Sequence, residues 1–518
     1  MKLFKWGAIG LLGALLILVA LNWTKIQRLL TVNSLFDADK IVTNFSSMDS
    51  AFLHHDLELG EAKPWPEDIQ EIPETVMIAG KETNLAEALE ELDTTALVII
   101  RDGTLIHESY YKDTDRDDLR ISWSVAKSFM SGLYGQAIED GLIDIQQPIE
   151  TYLPQLKGTA YEGATVANIL NMASGVRFNE DYMDPKSDIN DMGRVLGLGG
   201  SMDKYTETLT ERQYEPGTVW QYVSIDTHVA AMALREVTGK TLHQLWEETY
   251  GEYLGMGKAP FYLTDGKDVA FALGGLNLRT RDYAKFGQLF LQNGEWEGEQ
   301  LIPVDWVKDS TVNHAPNVHP VRGSGYGYQW WMPMPQEGPS KGDFFAIGIY
   351  GQYIYVNPAM NIVIAKNAAD REFTQPQSNG QHSMNMNIDV FRSLAEQLAD
   401  EVPLCLSDLT GSEFAKLVVS KMKFEGHLRS SVGRTANIAG AVDLCRQKSE
   451  WEGLMSMKVS YSDLNGITEL VSENFAGELG IKCEFENCYL GQGAELNPEW
   501  GKILERIRKH RETVFAKR

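Results

Sequence analysis

Ile121-Ser-Trp-Ser-Val-Ala-Lys-Ser-Phe-Met130 is the stretch on which the reading of this chain turns. It delivers Ser124 to the start of a helix, with Lys127 one turn further on. Residues three apart on a helix are side-by-side neighbours. A serine hydroxyl is a poor nucleophile until a base takes its proton, and a lysine can be that base if desolvation lowers its pKa. Val125, Ala126, Phe129, Met130, Leu133, Tyr134, Ala137 and Ile138 recur at helical spacing and form a broad apolar arc. Lys127 falls at the margin of that arc, between Tyr134 and Ile138. The spacing alone decides little, because Ser201-Met-Asp-Lys204 and Ser420-Lys-Met-Lys423 match it too. Context separates Ser124 from these decoys.

Working outward, Ala96–Tyr111 reads as a hairpin whose two β-rich runs flank Arg101-Asp-Gly103. After the Ser124 helix, which ends near Gly141, come a proline-bounded loop and a helix over Ala164–Met172. Pro216-Gly217 turns the chain into Gln221–Asp226 and a helix that Gly239 ends. Tyr353–Val356 and Ile362–Ala365 form a late strand pair around Asn357-Pro358. Strands, a helical middle and strands again predict an α+β fold. Its antiparallel sheet is closed by early and late strands and flanked by helices, with a mainly helical lobe.

The chain has 518 residues, enough for more than one domain. Its net charge of −25 would repel phosphates, so nucleic acid is excluded as a partner, and anionic membranes are disfavoured as a general surface. Lys2 and Lys5 precede an apolar run from Trp6 to Leu21, with Trp6 and Trp23 at its ends. Residues 1–30 are therefore expected as an uncleaved signal-anchor. The catalytic part would then stand outside the cytoplasmic membrane, on a single-pass, periplasmic topology; secretion after cleavage is the alternative. Residues 31–90 are acidic and proline-punctuated and read as a spacer, ending in a short helix over Leu85–Leu92. Residues 91–400 are the main domain, and residues 401–518 a small mixed C-terminal domain with no assigned function. The latter holds all four cysteines, Cys405, Cys445, Cys483 and Cys488. Two disulfides and four buried thiols both fit. With no Cys-x-x-Cys and no His-x-x-x-His pair, no metal site and no cofactor are expected. The basic tail Lys502–Arg518 reads as a solvated helix end.

Two further motifs follow Ser124 in order. Tyr222-Val-Ser224 emerges from a turn, so its tyrosine and hydroxyl can face one site; a tyrosinate beside a lysine ammonium can act as general base and later acid. Tyr355-Val-Asn357 has the same form but sits on a strand. Gly348-Ile-Tyr-Gly-Gln352 enters a strand, where glycines allow the close backbone approach that an oxyanion needs.

As an ordered set these motifs resemble the serine β-lactamase and penicillin-binding-protein superfamily, in its class C-like branch near the 6-aminohexanoate-dimer hydrolases and related esterases. Leu170–Val176, Glu215–Trp220, Arg235–Gly239 and Gly274–Leu278 support the resemblance, which covers roughly residues 90–400. It implies Ser124 as the acylated nucleophile, Lys127 as its proton acceptor and Tyr222 as the shuttle to the leaving group. Ser224 takes the place of the usual asparagine. The oxyanion would be held by the Ser124 N–H and by one near Ala346, with Gly348 and Gln352 beside it. Tyr182, in Phe178-Asn-Glu-Asp-Tyr182, is implied as a substrate contact.

Two departures narrow the substrate. The Lys-Thr-Gly triad expected on the late strand is absent, and Asp343-Phe-Phe345 stands there. An aspartate in that place would repel a substrate carboxylate. Hydrolysis of an ester or a short amide is therefore expected. β-Lactam hydrolysis or D-Ala-D-Ala carboxypeptidation is the alternative, and a catalytically silent cell-wall or peptide-binding protein is the reading from another class. An α/β-hydrolase is excluded by the lack of a Gly-x-Ser-x-Gly elbow.

Overall fold

The computed structural model describes residues 23–317, 323–336, 338–375 and 380–399, with three short strands at Val459–Ser460, Ile481–Glu484 and Asn487–Leu490. The chain divides into two compact units, Met1–Asp400 and Glu401–Arg518.

In the first unit Asp102 and Gly103 both take positive φ, 51° and 75°, as a two-residue hairpin turn requires. They join β1 (Thr94–Arg101) to β2 (Thr104–Tyr110). The remaining strands of the main sheet come late: β3 (Gly325–Tyr326), β4 (Trp331–Met332), β5 (Phe344–Gly348), β6 (Gln352–Asn357) and β7 (Ile362–Ala368). The sheet has seven strands in the order β3-β4-β5-β6-β7-β1-β2, and every pairing is antiparallel. Early and late strands close it, with Ile362 opposite Arg101.

Both sheet faces are covered, so β1 is buried along nearly its whole length, with a continuous apolar run Ala96–Ile100 rather than an alternation. Helix α1 (Ala126–Glu139) and helix α2 (Ser224–Thr238) pack together, where the Tyr134 hydroxyl donates to the Ala230 carbonyl at 2.6 Å. Helix α3 (Thr280–Leu291) lies directly on the sheet. A Cβ at its Gly287 would stand only 2.6 Å from Val363 Cγ1 and 2.7 Å from Ile354 Cγ2, so glycine sets the approach distance. Phe129 of α1 stacks on Phe286 of α3 at 3.7 Å. The opposite face is closed by α4 (Ser383–Leu398), whose Phe391 meets Phe345, Tyr353 and Tyr355.

Residues 31–90 are not a spacer. Short helices at Ile41–Phe45 and Met48–Ala51 bury Phe45 and Met48 completely. The buried Arg120 guanidinium ties them down, donating to the Val42 carbonyl at 2.7 Å and to Ser46 Oγ at 2.5 Å. His54–Asp56 then pairs with Phe261–Leu263 as the edge of a second, four-stranded sheet. The hairpin Thr75–Ile78 and Lys81–Asn84 packs on α4, with the Met77 N–H donating to Ser393 Oγ at 2.8 Å. Each apolar piece here is too short to show a period. The short helix Leu85–Glu91 forms, capped by Asn84.

The expected signal-anchor run Trp6–Leu21 lies outside the described residues, and among those described no helix is long and apolar enough to cross a membrane. In the second unit, Ile481–Glu484 pairs antiparallel with Asn487–Leu490 and sets Cys483 opposite Cys488 in register. The cysteine side chains and the basic tail lie outside the described residues.

Asp343 does not face a substrate. It is fully buried and bound by the Arg392 guanidinium of α4 at 2.7 and 2.9 Å. Residues alternate across a strand, so Asp343 and Phe345 point to α4 while Phe344 and Ala346 join the core on the α1 and α3 side. The expected repulsion of a substrate carboxylate is therefore withdrawn, since the charge is neutralised on the far face. Arg392→Met should leave that buried carboxylate unpaired and destabilise the fold by about 3–5 kcal/mol, read as a lowered midpoint in urea unfolding.

Candidate active site

Trp123–Val125 forms a tight 3-10 turn that runs straight into α1. Trp123 takes φ 42°, an unfavourable conformation for a bulky side chain. Such strain collects at functional sites because it aims a neighbouring group. Here it presents Ser124, which is partly exposed, at the mouth of the helix.

Lys127 is 1% exposed, because α1 is enclosed on nearly every side. Its Nζ contacts Ser124 Oγ at 3.1 Å, Ser224 Oγ at 3.4 Å and the Leu273 carbonyl at 2.8 Å. Burial brings its pKa down to about 7, against the opposing pull of Glu180 and Asp226. The network decides which way the protons point. Ser224 Oγ spends its hydrogen on Glu180, so it accepts from Lys127. The Leu273 carbonyl can only accept. A neutral amine has two hydrogens and one lone pair. With both hydrogens committed, the lone pair is left for the Ser124 hydroxyl.

Glu180 anchors this arrangement. It accepts from the Ser224 N–H at 3.2 Å, from the Ser224 hydroxyl, and from the Tyr182 hydroxyl at 3.0 Å. Burial raises its own pKa. Asp226 is buried one layer deeper, accepting from Tyr161 at 2.8 Å and Ser174 at 3.0 Å, and burial pushes it up to about 8. The second carboxyl therefore carries little charge near neutral pH.

Tyr222 stands at the entry to α2, with its ring 5.3 Å from Lys127 Nζ and stacked against Trp331 at 5.6 Å. Ser124 and Ser224 near its hydroxyl favour the ionised form, but burial outweighs them and drives its pKa up. The tyrosinate–ammonium pair expected from the sequence is thus disfavoured. The phenol keeps its proton, and Lys127 is the group brought to titrate near neutral pH.

Gly348 closes the other side. A Cβ there would lie 2.6 Å from the Ser122 carbonyl and 3.2 Å from the Ser124 nitrogen. Ala346, two residues earlier, is 1% exposed and packed in the core, so the close approach is made at Gly348. Gln352 is not free to touch a ligand. Its amide donates to the carbonyls of Tyr350 at 2.9 Å and Ala368 at 2.8 Å, and it accepts from Asn367 at 2.9 Å. It pins the Gly348–Gln352 turn against β7. Tyr182 lies against Glu180, and its ring meets Phe373 at 6.1 Å.

Glu180 was passed over in the sequence, although it sits within Phe178–Tyr182. The Leu273 carbonyl has no sequence signature at all. One unexpected cluster of possible metal ligands occurs elsewhere among the described residues: His55, His243 and Asp268 have atoms within 4.8 Å of one another. The two imidazoles stack at 4.1 Å with planes 7° apart, so their in-plane lone pairs cannot converge on one ion as placed. His55 instead pairs with Asp268 at 3.0 Å.

A serine and a buried lysine on one helical turn, a tyrosine at the next helix entry and a glycine strand end define a serine hydrolase of the Ser-x-x-Lys type. The β-lactamase family profile matches residues 83–379, and the chain belongs to that family. The 6-aminohexanoate-dimer hydrolase of Paenarthrobacter ureafaciens is 29% identical over 332 residues, 61% of this chain and 83% of that protein. An uncharacterized protein of Alkalihalophilus pseudofirmus is 20% identical over 326 residues, covering 55% of this chain and 86% of its own. The solved structure of a candidate 6-aminohexanoate-dimer hydrolase from Bacillus anthracis superposes with a TM-score of 0.62 at 27% identity, over 70% of this chain and 97% of that one.

Two outcomes test the geometry. Rate should rise with pH through about 7 as Lys127 becomes neutral; Glu180→Gln removes an anion that holds that pKa up, so the ascending limb of kcat/KM should move to lower pH. Gly348→Ala forces a methyl into the Ser122 and Ser124 backbone and should lower kcat/KM roughly 100-fold, measured on a chromogenic ester.

Proposed function

We propose that this enzyme hydrolyses a neutral ester or short linear amide through an acyl-enzyme on Ser124. The observation that carries the reading is the 3.1 Å contact between Lys127 Nζ and Ser124 Oγ, with the lysine's other two contacts already fixed. Lys127 takes the hydroxyl proton as Ser124 Oγ bonds to the substrate carbonyl carbon. The oxygen that gains the negative charge lies toward the Ser124 N–H, beside Gly348. Tyr222 gives its proton to the departing alcohol or amine and recovers one from Lys127. Water then attacks the acyl carbon, its proton passes back along the same groups, and Ser124 regains its hydrogen as the acid leaves. Glu180 and Ser224 are positioning residues for Lys127, and Tyr182 borders the substrate.

Substrate class follows from what β5 presents. Only Gly348, with no side chain, reaches the site, and Phe344 and Ala346 on the same face are buried in the core, so β5 offers no cation there. A substrate carboxylate, which the β-lactam and cell-wall reactions must hold, therefore finds no strand partner. The related hydrolase of P. ureafaciens is named for a dimer of 6-aminohexanoate, a linear amide, which supports the amide part of this reading. The apolar run Trp6–Leu21 supports a membrane-anchored enzyme with its catalytic unit outside the cytoplasm.

A fluorophosphonate probe should label the wild type and not Ser124→Ala. p-Nitrophenyl esters and a short linear amide should be turned over, and nitrocefin only slowly. Equal labelling of Ser124→Ala would remove Ser124 as the nucleophile, and fast nitrocefin turnover would overturn the substrate class.

A further inference from the structure

Phe36 lies far ahead of residues 83–379, yet it reaches the nucleophile's surroundings. Its ring stacks on Tyr350 at 5.0 Å and 18°, and stands 6.1 Å from Trp123. Trp123 is bonded to Ser124, and Tyr350 belongs to the turn after Gly348. Phe45, fully buried, braces these rings edge-on, 6.3 Å from Phe36, 5.6 Å from Trp123 and 5.4 Å from Tyr350. On the other flank Phe373 meets Tyr350 at 4.8 Å and Tyr182 at 6.1 Å. Phe36, Trp123, Tyr350, Phe373 and Tyr182, five rings braced by Phe45, thus run in continuous contact beside Ser124.

These rings are not a closed core. Phe36 is 41% exposed, and Trp123, Tyr350, Phe373 and Tyr182 each remain partly exposed. Two of them sit on strained backbone, with φ 42° at Trp123 and 59° at Tyr350. Strain of that kind persists only where surrounding structure enforces it. Contiguous exposed apolar surface on a soluble unit signals binding, and this patch begins at the residue bonded to the nucleophile.

Its place also says which part of a substrate it meets. Tyr222 belongs to a different aromatic group, formed with Trp331, Trp220 and Tyr326. No ring contact among the described residues joins that group to the Trp123 group. The leaving group must lie toward Tyr222, which protonates it. The acyl chain is left with the Trp123 side.

We propose that the run Phe36–Trp123–Tyr350–Phe373–Tyr182 is an acyl-binding subsite for an uncharged apolar chain, with Phe36 a specificity-determining residue supplied from outside the matched family segment. This rests on Ser124 being the acylated residue. The test compares kcat/KM for p-nitrophenyl acetate and hexanoate in the full chain. Wild type should favour hexanoate. Phe36→Ala should lower the hexanoate value about tenfold and the acetate value less than twofold, with Phe36→Leu between. Exchanging p-nitrophenyl for 2-naphthyl acetate should show no dependence on residue 36. Equal loss on both acyl chains, no loss, or a loss that follows the leaving group overturns the proposal. Thermal melts separate misfolding from specificity, and Phe36→Leu supplies the reading if the alanine variant does not fold. Turnover surviving in Ser124→Ala would instead overturn the parent reading, whereas an inactive Ser124→Ala with a flat response to Phe36→Ala overturns only the subsite.

Discussion

A buried amine that must stay largely uncharged is the constraint on which this site depends. Lys127 lies inside a helix enclosed by α2, α3 and the sheet, and burial outweighs the pull of both nearby carboxyls. The cost falls on stability. The unfolded chain keeps this lysine protonated up to its ordinary pKa, so folding releases a proton where pH lies between about 7 and that unfolded value. At about 1.4 kcal/mol per pKa unit, the penalty is on the order of a few kcal/mol. It is present in full below about 7 and vanishes as pH rises toward the unfolded value. The large core around α1 offsets it. Phe129, Met130 and Tyr134 are all fully buried on the same helix.

The second constraint is close backbone approach. Ser124 can face a strand end only because Gly348 has no side chain to hold them apart. The Gln352 amide fixes that strand end by spanning the carbonyls of Tyr350 and Ala368. A side chain read as a substrate contact thus serves geometry instead. The same holds for Asp343, whose charge is answered by Arg392 behind the sheet. In both cases residue type suggested an interaction; strand alternation turned Asp343 to the opposite face, whereas Gln352 shares the face of Gly348 and spends its amide on backbone carbonyls.

What could be read from the sequence follows from the range of the interactions involved. The Ser124–Lys127 pair, the Asp102-Gly103 turn and the Gly239 helix end are local, and their spacing survives folding. Glu180 could have been found, because a carboxylate two residues from Tyr182 lies in a stretch already picked out. The Leu273 carbonyl could not, since any residue supplies one. Residues 31–90 were misread for a related reason. Phe36, Phe45 and Met48 are scattered among acids and small polar residues with no sustained period, and the ring partners of the two phenylalanines lie far along the chain at Trp123 and Tyr350. Tertiary packing, not local pattern, orders that segment.

Charge and aromatic surface point to the same kind of substrate by independent routes. A chain carrying −25 disfavours the approach of anions at long range. At short range, β5 brings only Gly348 beside Ser124, and the other residues on that face, Phe344 and Ala346, are buried and apolar. Among the described residues the ammonium in contact with Ser124 is that of Lys127, and it cannot serve as an anion anchor. Pairing it with a substrate carboxylate would stabilise its protonated form and remove the lone pair that Ser124 needs. A site whose base is a desolvated lysine therefore works best when the bound substrate brings no charge near it. The exposed rings around Trp123, as the proposed acyl subsite, would fit that requirement, because aromatic rings hold apolar groups by contact area. The burial that makes Lys127 a base and the surface that receives the substrate are thus two consequences of one demand, a dry environment around Ser124.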